Sequence, residues 1–227
     1  MGRTVNATVY AIRREAFVDA AQRLIQAKGY EQMSIQDLLD ELDASRGAFY
    51  HYFDSKAALL DAVVARMVED GTAAVGPVVA DPGLSATDKL VGLFSGIAAW
   101  KTERMELLLA VLRVWRSDGN AIVRERFRRS VVVTLTPVLA TIVQQGLDEG
   151  SFAVTDADRT ARVLVSLLLG ANEHAGDLFF AYQAGQLSLE DVEGALNAYP
   201  EAIEEILGAR GGSLRWFEPG ALRQWFD

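Results

Sequence analysis

Cysteine is absent from the 227 residues. Its absence rules out a disulfide framework and thiol chemistry, and suits a reducing compartment. Histidine is nearly as scarce, with two copies. A His-based metal site therefore lacks ligands, including one built on His174 and Asp177. A histidine-dependent hydrolase would have to use His51 or His174, and no nucleophile is marked out beside either. There is no GxSxG, no GxGxxG after a strand and no phosphate-binding loop. The chain is thus not expected to be an enzyme, and neither cofactor nor metal is expected. The longest apolar runs, "VVVTLTPVLATIV" and "VLVSLLLGA", fall short of the roughly 20 residues that cross a bilayer. The opening "MGRTVNATVYAIRREAF" lacks the apolar stretch of a signal peptide. A cytoplasmic protein without a membrane partner is expected, in which Asn6-Ala7-Thr8 matches a glycosylation acceptor by chance. An excess of basic charge is also missing. The net charge is −9, and residues 1–56 carry seven basic against eight acidic side chains. Any case for nucleic-acid binding must rest on where the charges sit.

Hydrophobic residues are abundant, at 50% of the chain, and they recur with helical rather than strand periodicity. An all-α fold is expected. Phe17, Ala20, Ala21, Leu24 and Ile25 form one stripe of a first helix, which Lys28-Gly29 ends. Ser34 fits the N-cap of a short second helix, with Asp37 three residues on, Met33 placed to staple onto Leu38, and Ile35, Leu38, Leu39 and Leu42 facing inward. Asp43-Ala44-Ser45 makes a tight turn, Ser45 caps a third helix over 46–53, and Asp54-Ser55 caps a fourth from Lys56 to about Glu69. Gly71, Gly76-Pro77 and Asp81-Pro82-Gly83 read as a linker. Further helices are expected at 86–101, 103–117, 120–148, 156–184 and 188–209, with Pro137 inside the third of these. The tail "GGSLRWFEPGALRQWFD" reads as a loop and one short amphipathic helix. Two domains follow: residues 1–56, a three-helix head, and residues 57–227, a larger helical body.

The stretch "ASRGAFYHYFDSK" puts four aromatics and a histidine into five consecutive positions, Phe49 to Phe53. Two short helices joined by a three-residue turn, braced by a first helix, form a helix-turn-helix, which places its second helix in the DNA major groove. Phe49 and Phe53 share the inward face. Arg46, Gly47, Tyr50 and His51 share the opposite one, offering a guanidinium for guanine edges or phosphate and two polar-tipped rings for phosphate. Gly47 lets the helix backbone approach closely. Lys56 stands at a helix N-terminus, where amides already favour an anion. Arg13 and Arg14 suit either a phosphate role or plain solubility.

Residues 13–60 resemble the DNA-binding domain of the TetR family of bacterial transcriptional regulators. The resemblance is carried by Phe17, Ala20, Ala21 and Leu24, by Gly29 with Tyr30, by Ser34 with Leu38, and by "SRGAFYHYFDSKAALL". Departures are Leu39 for the usual alanine, Asp43 for glycine in the turn, Ala44 for valine, and Ala48 for a threonine or serine. Ala48 removes one potential hydroxyl contact. Asp43 tolerates a left-handed backbone, so the turn survives. The resemblance implies DNA contacts from Ser34, Ser45, Arg46, Gly47, Ala48, Tyr50, His51 and Lys56. It also implies an all-α regulatory domain that encloses a ligand pocket and dimerises through its last two long helices.

Residues facing that pocket are expected on the helices at 86–101, 103–117, 120–148 and 156–184. Phe94, Trp100, Leu109, Trp115 and Phe179 are candidate walls, though each also suits plain core packing. Arg113, Asn172, His174 and Asp177 are candidate polar groups, though the last three also suit a solvent edge or dimer contacts. An aromatic or lipid-like effector with one polar or acidic group fits such a set. In the dimer reading, Leu164, Leu168, Ala171, Ala175, Leu178 and Tyr182 join Val192, Ala195, Leu196, Tyr199, Ile203, Ile206 and Leu207 in a four-helix interface. The expected function is therefore a homodimeric repressor on a near-palindromic operator, relieved by a small molecule. The alternatives are a helical small-molecule-binding protein with a vestigial DNA-binding head, and a regulator controlled by a protein partner.

Overall fold

A computed structural model describes residues 2–115, 121–216 and 222–226, without the side chains of 2–6, 113–115 and 121–123. Every regular element among them is an α-helix: α1 (Gly2–Lys28), α2 (Ile35–Leu42), α3 (Arg46–Tyr52), α4 (Lys56–Ala80), α5 (Ala86–Glu103), α6 (Met105–Trp115), α7 (Ala121–Glu149), α8 (Ala157–Gln183), α9 (Leu189–Leu207) and α10 (Arg223–Phe226). They gather into two compact units. One comprises residues 1–68 with 104–127, the other 69–103 with 128–227.

Local chemistry sets the helix ends in the first unit. Gly29 takes φ +80° and closes α1, its N–H donating to Ile25 O at 2.9 Å. Ser34 caps α2 in a full capping box: Asp37 N donates to Ser34 Oγ at 3.1 Å, and Ser34 N donates to Asp37 Oδ2 at 2.7 Å. Asp43 ends α2 in the left-handed region at φ 46°. Ser45 then caps α3 by accepting from Ala48 N at 3.2 Å, and Ser55 caps α4 by accepting from Ala58 N at 3.0 Å. Phe17, Ile25, Met33, Leu38, Phe49, Phe53, Leu59 and Val63 form the core on which these helices pack. α6 packs against α1. Arg66 of α4 ties back to α1, donating to Asp19 Oδ1 at 2.5 Å and also to Gln22.

The stretch expected as a linker between two bodies does not separate the two units, since residues 69–103 all belong to the second. α4 runs through Gly71 and Gly76-Pro77 to Ala80, and the break comes only at Asp81-Pro82-Gly83, where Gly83 N donates to Asp81 Oδ1 at 2.8 Å. Packing inside the second unit overrides the breakers. A Cβ on Gly92 or Gly96 of α5 would meet Val78 Cγ1 at 2.5 Å or Val75 Cγ1 at 2.7 Å. The last turns of α4 are therefore held against α5 at glycine distance. Pro77 stands three residues before the last residue of α4, and its missing N–H costs the helix one i→i−4 bond.

α8 and α9 pack as neighbours in the second unit, and Leu90, Leu93, Leu139, Ile142, Leu164, Ile203 and Leu207 are wholly buried. A buried Lys89 donates to Gln145 Oε1 at 2.8 Å, while Glu149 Oε2 accepts from Ala86 N at 3.0 Å. These bonds join the start of α5 to the end of α7. Within α7, Arg124–Glu149 reaches the length and apolar composition of a bilayer-crossing helix, which the separate apolar runs do not. Its Leu139, Ile142 and Val143 are buried, whereas Val132 and Val133 face outward. Most of the expected dimer stripe is also consumed within the chain: Leu164, Ala171, Leu178, Val192, Leu196, Ile203 and Leu207 are buried.

Candidate nucleic-acid interface

The five-residue aromatic run divides by face. Phe49 is fully buried and Phe53 nearly so, with Phe17 edge-on to both at centroid distances of 5.7 and 6.3 Å. Arg46, Gly47, Tyr50 and His51 are exposed on the other side of α3, with Ala48 half-buried between the faces. The helix thus has an apolar anchor and an exposed polar face. A Cβ placed on Gly47 would meet only Ser45 Oγ, at 3.9 Å, so the free protein has room for a side chain there.

Charge placement separates fastening residues from available ones. Arg23 pairs with Glu41 at 2.7 Å and Lys28 with Asp37 at 2.7 Å. Arg14 contacts Glu15 at 3.0 Å and lies over the Phe53 ring, 5.2 Å from its centroid. Arg13 and Arg46 are exposed and make no ion pair among the described residues. The Lys28 ammonium, then the Ser34 N–H and hydroxyl, hold the Asp37 carboxyl far below the usual aspartate range.

Lys56 is half-buried. Its Nζ lies 4.2 Å from the centre of the Tyr30 ring and donates to Glu31 O at 3.5 Å. Burial lowers its pKa from the ordinary lysine value. The amine thus rests on an aromatic face beside the N-terminus of α4, within side-chain reach of an anion there. Ser34 and Ser45 are exposed, with their hydroxyls engaged in caps.

One contact is not announced by any motif. The ring of Tyr10 sits edge-on to His51 at 5.5 Å and tilted on Tyr52 at 4.8 Å. A tyrosine in α1 thus braces the exposed imidazole of α3 from 41 positions upstream, a separation at which sequence pattern carries no signal.

Among the residues expected to meet a ligand, several fall together in the second unit. Phe94 is buried against Trp216 at 5.2 Å. Trp216 in turn stacks on Tyr199 at 5.9 Å and 14°, and Tyr199 Oη shares a 3.1 Å hydrogen bond with His174 Nδ1. Phe179 is buried against Phe226 at 5.7 Å, and Trp100 is buried with its ring over Gly71. Exposed Asn172 accepts at Oδ1 from Lys101 Nζ, 2.9 Å away, and burial lowers the Lys101 pKa. Asp177 is exposed. Leu109 is half-buried in the first unit, and the side chains of Arg113 and Trp115 lie outside the described residues. An open groove between α7 and the start of α8, lined by Pro137, Thr141, Gln144, Asp148, Thr155 and Asp158, contains none of these residues. Among the described residues no three His, Asp or Glu side chains gather as a metal site.

Residues 17–63 match the sequence model of a family described as bacterial regulatory proteins, tetR family. An HTH-type transcriptional regulator in the lacX 3' region of Lactococcus lactis subsp. lactis is 45% identical over 58 residues, 25% of this chain and 30% of that protein. The HTH-type transcriptional regulator YuxN of Bacillus subtilis (strain 168) is 42% identical over 48 residues, 21% of this chain and 16% of that protein. The chain thus matches less than a third of the length of these relatives. A TetR transcription regulator from Haloarcula marismortui ATCC 43049 superposes with a TM-score of 0.61 at 23% identity, over 87% of this chain and 97% of that one. A transcriptional regulator from Cytophaga hutchinsonii ATCC 33406 does so with 0.58 at 19%, over 86% and 96%. These two structures bear on the fold alone.

Proposed function

From the match of residues 17–63 to the tetR family of bacterial regulatory proteins, we propose that the chain is a cytoplasmic, homodimeric repressor of transcription whose operator affinity a small molecule lowers. One observation carries the DNA half of this reading. Arg46, Gly47, Tyr50 and His51 stand together on the exposed side of α3, while Phe49 and Phe53 lock its other side into the core. A rigid helix with one polar face, standing second in a helix-turn-helix, is built to enter a major groove. Arg46 reads a guanine edge, Tyr50 and His51 grip phosphate, and Lys56 swings from Tyr30 to a neighbouring phosphate. Residues 1–56 form the DNA-binding part in this reading, and 57–227 the regulatory part.

Phe94, Phe179 and the Tyr199–His174 pair support the ligand half, since small-molecule sites are mostly apolar with a few orienting polar groups. The effector acts by favouring one arrangement of the two heads over another. A dimer seats the two α3 helices in successive major grooves, about 34–36 Å apart.

The test is selection of duplexes from a random pool by the purified protein, followed by titration against salt. Enriched near-palindromes and a steep fall of affinity with salt are expected. Equal affinity for selected and random duplexes would overturn the reading.

A further inference from the structure

One stripe of α1 runs from the core of the first unit to its surface along the end of α3. Phe17, 3% exposed, packs on Phe49, Tyr52 and Phe53. One turn earlier, Arg14 lies over the Phe53 ring. A further turn back, Tyr10, 41% exposed, reaches His51 and Tyr52. The i, i+4, i+7 spacing of Tyr10, Arg14 and Phe17 puts all three on one face of α1. Aromatic packing that begins in the core is thus carried out to the exposed imidazole in the last turn of α3.

His51 is held by rings alone. Tyr10 stands at 77° to the imidazole with centroids 5.5 Å apart, and Tyr52 at 76° and 4.9 Å. Both are the edge-on arrangement that aromatic quadrupoles favour. The two tyrosines also pack on each other at 4.8 Å, and Tyr52 is seated on Phe17 at 5.7 Å. Among the described residues His51 makes no hydrogen bond and no ion pair. Its two nitrogens are therefore open to an incoming group, on a ring whose orientation is already set. The Tyr10 hydroxyl likewise bonds to nothing among the described residues, so what Tyr10 offers His51 is its ring.

We propose that Tyr10 is a positioning residue for DNA binding: it fixes the His51 imidazole before the operator arrives, so that the phosphate contact forms without ordering that side chain. The proposal rests on the DNA-binding reading of α3 and adds to it a residue of α1 that acts through another. Immobilising a side chain at an interface opposes binding each time a complex forms. A ring already packed on two neighbours is immobilised on folding instead. Removing the Tyr10 ring should therefore weaken operator binding by about threefold to tenfold. Base preference should not change, since a phosphate carries no sequence.

The test uses the full chain and a duplex that wild type selects from a random pool. Tyr10→Ala should show the threefold to tenfold loss, whereas Tyr10→Phe, which keeps the ring, should stay within about twofold of wild type. In a His51→Ala background, Tyr10→Ala should weaken binding no further, because the two residues act as one. Proton NMR of the free protein reads the contact without DNA. The chain has two histidines, so the His51 ring signals are assigned by their loss in His51→Ala. Wild type should show cross-relaxation between the His51 and Tyr10 rings, and His51 signals displaced by ring currents that Tyr10→Ala removes. The cross-relaxation needs no variant, so its absence would sink the proposal even if Tyr10→Ala fails to fold. Equal losses in both backgrounds, or a Tyr10→Phe protein as weak as Tyr10→Ala, would overturn it too. A wild type that selects no duplex would overturn the DNA-binding reading and this proposal with it. Selective binding by wild type with additive losses removes the role of Tyr10 alone.

Discussion

Outside the backbone of α3 itself, a Cβ on Gly47 would meet Ser45 Oγ at 3.9 Å and nothing nearer among the described residues. Glycine near a helix start costs conformational entropy, so packing in the free protein gives no reason for it. Gly47→Ala should raise stability by up to about 1 kcal/mol. It should also weaken operator binding by about tenfold, ~1.4 kcal/mol, because the methyl group stands between α3 and the groove. Thermal melts and fluorescence anisotropy on a selected duplex give the two numbers. Unchanged DNA affinity would remove Gly47 from the interface.

Arg46 and Lys56 should fail differently. Arg46 is exposed without an ion-pair partner among the described residues, and Arg46→Ala should change base preference at about 1–3 kcal/mol if the guanidinium is bidentate to guanine. Lys56→Ala should weaken all duplexes alike and make the salt dependence shallower by about one unit of slope. A change in base preference from Lys56→Ala, checked by competition among single-base variants of the duplex, would reverse the assignment.

Acid sensitivity should concentrate at the start of α2. The Asp37 pKa is lowered from 3.8, first by Lys28 and then by Ser34. A carboxyl with a depressed folded pKa binds protons more weakly folded than unfolded. Its contribution is therefore full above the ordinary aspartate value and is lost as pH falls towards the folded one. Asp37→Asn should be less stable than wild type at pH 7, and the gap should narrow below about pH 4. Urea midpoints across that range measure it, and a constant gap would show that the charge of Asp37 contributes nothing.

The head was legible because its determinants are local. Ser34, Ser45 and Ser55 each accept from a backbone N–H three residues on, and Asp43 turns the chain by its own left-handed φ, so their spacing announces α2, the turn and α3 before any tertiary contact is considered. The alternation of Phe49 and Phe53 with Tyr50 and His51 marks two faces for the same reason. What was misread depends on distant partners. Gly71 and Gly76-Pro77 look like a linker until Val75 and Val78 are seen against Gly96 and Gly92 of α5. The seam positions Leu164 and Ile203 carry a second role that no spacing announces, since both are also covered within the chain itself. Trp216 reads as part of a loop because Phe94, its ring partner, lies more than a hundred residues earlier.

A dimer through α8 and α9 must therefore use what remains outside. Val163 is 52% exposed and Ile206 37%, and Gly170 stands one heptad beyond Val163 on the same side of α8 with nothing within 4 Å of an added Cβ. Gly170→Arg should leave helicity and melting temperature unchanged while converting a dimer to a monomer, as read by sedimentation velocity at micromolar concentration. A dimer that persists places the interface elsewhere.

The contact between Tyr10 and His51 matters to anyone who borrows this head for a synthetic switch. The family match begins at residue 17, which invites a splice there. A graft cut at that point would carry α3 away without the Tyr10 ring that braces the His51 imidazole. The portable cassette starts upstream of Tyr10.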